Sequence, residues 1–360
     1  MSIKKILVTG ANGQLGWELA QLAATYSMYE FIFADRSMFD LSKPELFESL
    51  ILQWAPQAII NTAAYTAVDK AETEQDLANL INATAVAELA RIAGENDILF
   101  ITFSTDYVFN GNASSPYLTD TIIDPVNFYG TTKAQGEVMA LDVNPNTIII
   151  RTSWVFSSHG NNFVKTMMRL MKERATLNVV SDQIGRPTYA KDLAIATIKI
   201  VNEVSDGKKI KGVYHFANKG VTSWFEFAQQ IKKNAGLSCE LIPIYTAQFP
   251  TPAKRPAYSV LDTQKIETEI KEVVAAVQSN STPTPIKLEN NSNSDKFYSP
   301  LVKSIAEKEG INYSQLDTIE GSGQGGRVTK KDIIAFIENG GATTAPAVAT
   351  TSVPSSNGST

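Results

Sequence analysis

The chain has 360 residues, of which 43% are hydrophobic and 19% charged, with a formal net charge of −5. That is enough chain for two or three domains of soluble composition, and its acidic balance argues against the clustered basic surface of a nucleic-acid binder. No apolar run approaches the about eighteen residues of a membrane span. The single cysteine, Cys239, excludes an internal disulfide framework, and an N-terminus that runs straight into a strand pattern shows no signal-peptide region; together they point to the cytoplasm. The two histidines, His159 and His215, are too few for an imidazole-based triad or a His-rich metal site, so no metal is expected.

Taken in chain order, Ile6-Leu7-Val8 is a first apolar run, followed by a helical pattern over 14–26. Phe31-Ile32-Phe33-Ala34 is a second run, and a helix over 44–53 starts on Pro44. Ala58-Ile59-Ile60 is a third, followed by one long helix over 71–93. Ile98 to Ile101 and Ile148 to Ile150 complete the series, with a helix over 129–141 between them. Near-continuous apolar strands alternating with helices predict an α/β fold, a doubly wound parallel sheet of Rossmann type covered on both faces. From about 155 to 272 the pattern is mixed, with helices near 163–173, 190–204 and 223–234, and predicts a smaller α/β region capping the carboxyl ends of the strands. Residues 273–296 and 341–360 are rich in Ser, Thr, Asn, Pro and Ala and read as a flexible linker and tail. Between them, 297–340 form a small all-α island.

Gly10, Gly13 and Gly16 lie between the first strand and the first helix, where glycines allow a tight turn and the helix N-terminus attracts a pyrophosphate. Gln14 and Leu15 lie inside that turn. Asp35, about twenty residues on at the end of the second strand, can accept the adenosine ribose hydroxyls and favours NADH. Arg36 beside it can accommodate a 2′-phosphate, so NADPH stays open. Asp40-Leu41 and Ala63-Ala64-Tyr65 follow later strands, in the crevice where the cofactor would lie. A second glycine set, Gly321, Gly323 and Gly326, follows no strand and reads as a decoy.

Tyr129 and Lys133 stand four apart on one helix face. A phenol with a pKa near 10 is a poor acid–base group until a neighbouring ammonium stabilises its phenolate. Such a pair, with Thr105 as a further hydroxyl near the same carbonyl, fits reduction of a ketone.

The segments TGANGQLG (9–16), NTAAYTAVDKAE (61–72), STDYVFNG (104–111), YGTTKAQGE (129–137), RTSWVF (151–156), SDQIGRPTYAKDLA (181–194) and RPAYSVLD (255–262) resemble the dTDP-4-dehydrorhamnose reductase family of extended short-chain dehydrogenases/reductases. The resemblance covers 3–270. It implies hydride transfer from NADPH or NADH to C4 of a dTDP-linked 4-keto-6-deoxy hexose. Tyr129 would be the proton donor, Lys133 its electrostatic partner, and Thr105 would tune both the carbonyl and the phenol. Thr105, Asp106 and Trp154 would contact the sugar nucleotide, and Arg255 its diphosphate. Gly13, Gln14, Leu15, Asp40, Leu41, Ala64, Tyr65 and Thr66, with Tyr129 and Lys133, would line the cofactor. Another sugar-nucleotide reductase or epimerase, and a non-catalytic NADP-binding regulatory subunit, stay open as alternatives, as does a homodimer. Where the family continues into a closing helix, this sequence passes from LDTQKIETEIKEV into linker composition, which predicts a truncated or replaced last helix.

Residues 297–340 are similar to the peripheral subunit-binding domain of dihydrolipoamide acyltransferases, through Ser299-Pro300, Gly310-Ile311, the stretch from Gly321 to Val328, and Asp332-Ile333. That resemblance implies docking to dihydrolipoamide dehydrogenase or a decarboxylase component, with Lys303, Arg327 and Lys330 as cationic contacts. Ile305, Ile311, Leu316, Val328, Ile333 and Ile334 are its candidate core.

Overall fold

A computed structural model describes residues 3–270, 302, 306, 318–319, 321–322 and 328–338. The chain divides into two compact units, Met1–Ser281 and Thr282–Thr360.

In the first unit the elements run β1 (Lys5–Thr9), α1 (Gln14–Ala23), β2 (Glu30–Ala34), α2 (Phe47–Trp54), β3 (Ala58–Asn61), α3 (Val68–Ala71), α4 (Gln75–Asn79), α5 (Ala85–Glu95), β4 (Leu99–Thr105), α6 (Phe128–Val143) and β5 (Ile148–Thr152). There follow β6 (Val155–Phe156), α7 (Phe163–Glu173), β7 (Thr176–Val180), β8 (Ile184–Gly185), β9 (Thr188–Tyr189), α8 (Ala190–Ser205), β10 (Gly212–His215), β11 (Thr222–Ser223), α9 (Trp224–Ala235), β12 (Glu240–Ile244) and α10 (Gln264–Glu269). Six strands form one sheet in the order β10-β5-β4-β3-β1-β2, with every neighbouring pair parallel. The chain leaves β1 to one side for β2 and returns on the other for β3. The carboxyl ends of β1 and β3 therefore flank the crevice where such sheets bind ligands.

Strand alternation sorts the core. Ile6, Val8, Ile60 and Ile150 face α1, α8 and α10, whose Leu19, Ile198 and Ile266 close one layer. Leu7, Ile59 and Phe100 face Phe47 and Ile51 of α2 and Leu89 of α5 on the other side. A sheet buried on both faces explains the unbroken apolar runs, which carry no alternation.

Two expectations need correction. The single helix over 71–93 is instead α3, α4, a π-helical turn Leu80–Thr84 and α5. Its apolar spacing runs through these joints, so periodicity does not reveal them. The sheet has a sixth strand, β10, and α8 also returns to the sheet core. The smaller α/β region over the strand ends is therefore discontinuous, centred on α7, α9, β7 and β12 around Met167, Leu177, Ile231 and Cys239. The described residues of the first unit end just after a short helix, α10. α10 buries Ile266 and Ile270, and Tyr214 of β10 donates to the Glu269 carboxylate at 2.6 Å while Lys265 lies 4.3 Å over the Tyr214 ring.

In the second unit Val302, Ala306, Ile319, Val328 and Ile333 are buried together, with Phe336 against them. Of the candidate core only Val328 and Ile333 are found there. Ile334 is exposed, and Ile305, Ile311 and Leu316 lie outside the described residues, as do Lys303, Arg327, Gly323, Gly326, the linker 273–296 and the tail 341–360. The helix Lys330–Glu338 begins where the Asp332 carboxylate accepts from Thr329 N at 2.8 Å and Ser322 Oγ at 2.7 Å. Those bonds hold its pKa well below the usual carboxylate range.

Ile60→Ala in β3, with a side chain fully buried between the sheet and the helices on that face, should destabilise the protein by about 2–5 kcal/mol; urea unfolding measures it, and a loss under about 1 kcal/mol would show a core able to collapse around the cavity.

Candidate active site

The glycine turn is built by two close approaches. Gly10 has φ +69°, and a Cβ there would sit 2.7 Å from Ala63 N, in the loop after β3. A Cβ on Gly16 would meet the Gly10 carbonyl. Gly13 donates to Gly10 O at 2.9 Å and caps α1 with no side-chain partner. The backbone amides that open α1 thus face the crevice without an intervening side chain, as a bound pyrophosphate requires.

These loops line a cavity of about 600 Å³. Gly10, Gly13, Gln14, Leu15, Asp35, Asp40, Leu41, Ala64, Thr66, Tyr129 and Lys133 all border it. Gly16 and Tyr65 do not: Gly16 lies beneath the turn, and Tyr65 turns its hydroxyl to Glu74 at 2.7 Å. Sequence reasoning missed Asn12, Thr62, Ser104, Gly160 and Asn161 on the same wall. Gly160 and Asn161 belong to a strap that follows β6. Ser157 Oγ donates to the buried Glu18 at 2.6 Å, Asn162 Nδ2 donates to Gln14 at 2.9 Å, and His159 stacks on Trp17 with ring centroids 5.2 Å apart. No sequence signal marks these contacts, which join residues nearly 150 positions apart.

Asp35 is held by its own turn, accepting from Ser37 N at 2.8 Å, Ser37 Oγ at 2.6 Å and Asn12 Nδ2 at 3.3 Å. Those bonds lower its pKa. Arg36, with 76% of its side chain exposed, pairs with Asp40 at 3.5 Å.

The first turn of α6 sets the reactive pair. Asn127 caps it, accepting from Gly130 N at 2.8 Å, while Phe128 N donates to Glu72 at 2.9 Å. Gly130 has no Cβ to strike the Tyr107 carbonyl, so the helix start lies against the turn after β4. Tyr129 comes to rest edge-on to Tyr107, with ring centroids 5.9 Å apart. Burial pushes its phenol up to about 12; a hydrogen bond with Thr105 opposes the rise and the charge of Asp106 adds to it. One turn on, Lys133 is 5% exposed and donates to Phe103 O at 2.7 Å. Burial pulls its ammonium down to about 8, against the field of Glu137.

The four expected substrate contacts lie outside the cavity wall. Thr105 donates to Asp106 at 2.9 Å and accepts from Tyr107 N. The second carboxyl oxygen of Asp106 and the hydroxyl of Ser104 are buried without a partner, and burial raises the Asp106 pKa to about 6. Trp154, at φ +48°, stacks on Trp224 at 3.5 Å over Gly185, where a Cβ would strike its indole. Arg255 is engaged by Asp69 at 2.9 Å and by the Ala253 carbonyl, and its charge reaches Tyr107.

Residues 4–283 match the family described as RmlD substrate binding domain, and 296–334 match the e3 binding domain. The chain is 44% identical to dTDP-4-dehydrorhamnose reductase of Aggregatibacter actinomycetemcomitans, over 73% of this chain and 92% of that one. It is 40% identical to the spore coat polysaccharide biosynthesis protein SpsK of Bacillus subtilis, over 73% of this chain and 90% of that one. The crystal structure of dTDP-4-dehydrorhamnose reductase from Bacillus anthracis in complex with NADP is 35% identical, with a TM-score of 0.70 over 78% of this chain and 100% of that one.

Asp106 prefers its neutral form in the folded protein, so its contribution to stability is greatest below the unfolded pKa and is lost as pH rises through about 6. Asp106→Asn should therefore be more stable than wild type by about 2–3 kcal/mol at pH 8, with the advantage shrinking toward pH 5. Unfolding curves at both pH values check this, and an equal gap at the two would rule out the carboxyl as its source.

Proposed function

The chain belongs to the RmlD substrate-binding-domain family, and from that membership we propose that residues 3–270 form an NAD(P)H-dependent dTDP-4-dehydrorhamnose reductase. The reaction is hydride transfer to the C4 ketone of dTDP-4-dehydro-L-rhamnose, giving dTDP-L-rhamnose. The observation that carries this reading is that Tyr129 and Lys133 border the same cavity as the glycine turn. A named relative with NADP in place and the reductase names of relatives near 40% identity support it.

The nicotinamide supplies the hydride. Gly10 and Gly13 would let the opening of α1 take the pyrophosphate, and Asp35, Arg36 and Asp40, on the same cavity wall, would hold the adenosine half. Asp35 already accepts several bonds while Arg36 is exposed, a balance that suits a 2′-phosphate. Tyr129 donates its hydroxyl proton to the carbonyl oxygen as the hydride arrives. Lys133, protonated at neutral pH, lowers the cost of the phenolate that remains, and Thr105 orients the phenol. Asp106 and Trp154, which lie outside the cavity wall, would contact the sugar nucleotide. Arg255 reaches its diphosphate only by sharing its guanidinium with Asp69.

The second unit supports a second role. Its match to the e3 binding domain favours docking to a dihydrolipoamide dehydrogenase or decarboxylase component, with Lys330 as one cationic contact. The full chain should co-sediment with dihydrolipoamide dehydrogenase at micromolar concentration and at low salt; no complex under those conditions removes this role.

Purified protein should oxidise NAD(P)H only when the dTDP-4-keto sugar is added, and Tyr129→Phe should lower kcat by roughly 10²–10⁴-fold with cofactor binding retained. Wild-type turnover by the Phe variant would overturn the assignment of the proton donor. An epimerase would show no net loss of absorbance.

A further inference from the structure

The inward face of α6 is charged where a core helix is normally apolar. Lys133 and Glu137 lie one turn apart on it, 5% and 4% exposed. Arg151 of β5 meets Glu137 with a two-pronged fork, Nε to the two carboxyl oxygens at 3.0 and 3.1 Å and Nη2 at 2.6 Å. Both side chains of this pair are 3% exposed. The remaining arm of Arg151 donates to Thr119 O at 3.1 Å and lies 3.3 Å from His215 Nε2, and the guanidinium stacks 5.1 Å from the Phe109 ring. His215 is kept neutral by burial and by Arg151, with its pKa near 3, so Glu137 alone balances the guanidinium there.

A buried ion pair is seldom more stable than apolar residues of the same volume, so its place beside a reactive lysine calls for a functional reason. We propose that the Arg151–Glu137 pair is the positioning device for Lys133. It locks the turn of α6 that carries the ammonium against β5, and it sets how much negative charge the ammonium sees. This rests on the reductase reading above, in which Lys133 acts.

The other charged groups on elements packed against α6 are committed elsewhere or remote. Glu88 and Glu95 of α5 pair with Arg91, Asp69 of α3 pairs with Arg255, and Glu72 takes the Phe128 amide. Asp106 accepts from Thr105. Lys70 and Asp76 are exposed, and Asp142 lies at the far end of α6. Of all these, Glu137 is the acid whose field bears on Lys133.

The test is the pH dependence of kcat/KM for keto-sugar reduction by the full-length chain. Lys133 must be protonated, so wild-type activity should fall as pH rises through about 8. In Glu137→Gln the field of the carboxylate is gone and the limb should move to lower pH by about one unit. The double variant Glu137→Gln/Arg151→Gln keeps a neutral hydrogen-bonded pair without a stranded charge, which buried sites tolerate better. Its limb should also move down, by less than in the single variant. NADPH fluorescence titration confirms that each variant folds and binds cofactor. A limb at the wild-type pH in the double variant, or a wild type flat to pH 10, overturns the proposal, because a purely structural pair lowers the rate without moving the limb. A wild type with no turnover would instead sink the reductase reading.

Discussion

Two backbone loops cross at the head of the sheet with no room for a side chain between them. Gly10, in the left-handed region, lies against Ala63 after β3, and Gly16 lies against the Gly10 carbonyl. The strand order brings β1 and β3 together, the crossing fixes where α1 starts, and the start of α1 fixes where a dinucleotide phosphate can sit. The strap after β6 is then tied to α1 through Glu18 and Gln14, so the cavity wall contributed by the far half of the first unit takes its position from the same turn.

The second constraint is electrostatic. Tyr129, Lys133 and Asp106 are all shifted toward their neutral forms by burial, which stability alone would not select. The partly compensated Lys133 and the half-satisfied Asp106 carboxyl describe a site whose polar groups wait for a partner. The opposite shifts of the phenol and the ammonium also widen the gap between two groups whose ordinary values nearly coincide, so the phenol holds its proton the more firmly of the two.

Much of this was legible in the sequence because it rests on local rules. Unbroken apolar runs foretold a sheet covered on both faces, the glycine spacing foretold the turn, and Tyr129 with Lys133 foretold one helix face. What stayed hidden depends on distance along the chain. The fork of Arg151 on Glu137, the clasp of Asn162 on Gln14 and the capture of Arg255 by Asp69 pair residues whose types carry no mark of the partner. The breaks between α3, α4 and α5 were hidden for a different reason, since a π turn preserves the apolar spacing that signals a helix. Tyr65 shows the same limit: its segment was placed correctly beside the cavity, but its ring turned to Glu74 instead.

The second unit has a core of its own among its described residues. Five of these are buried together, with Phe336 against them. The Asp332 carboxylate is spent on Thr329 and Ser322 at the start of its helix, so that acid serves the fold, and Lys330 and Lys331 beside it are exposed. The described part of the second unit thus offers a packed core and exposed cations, which suits association.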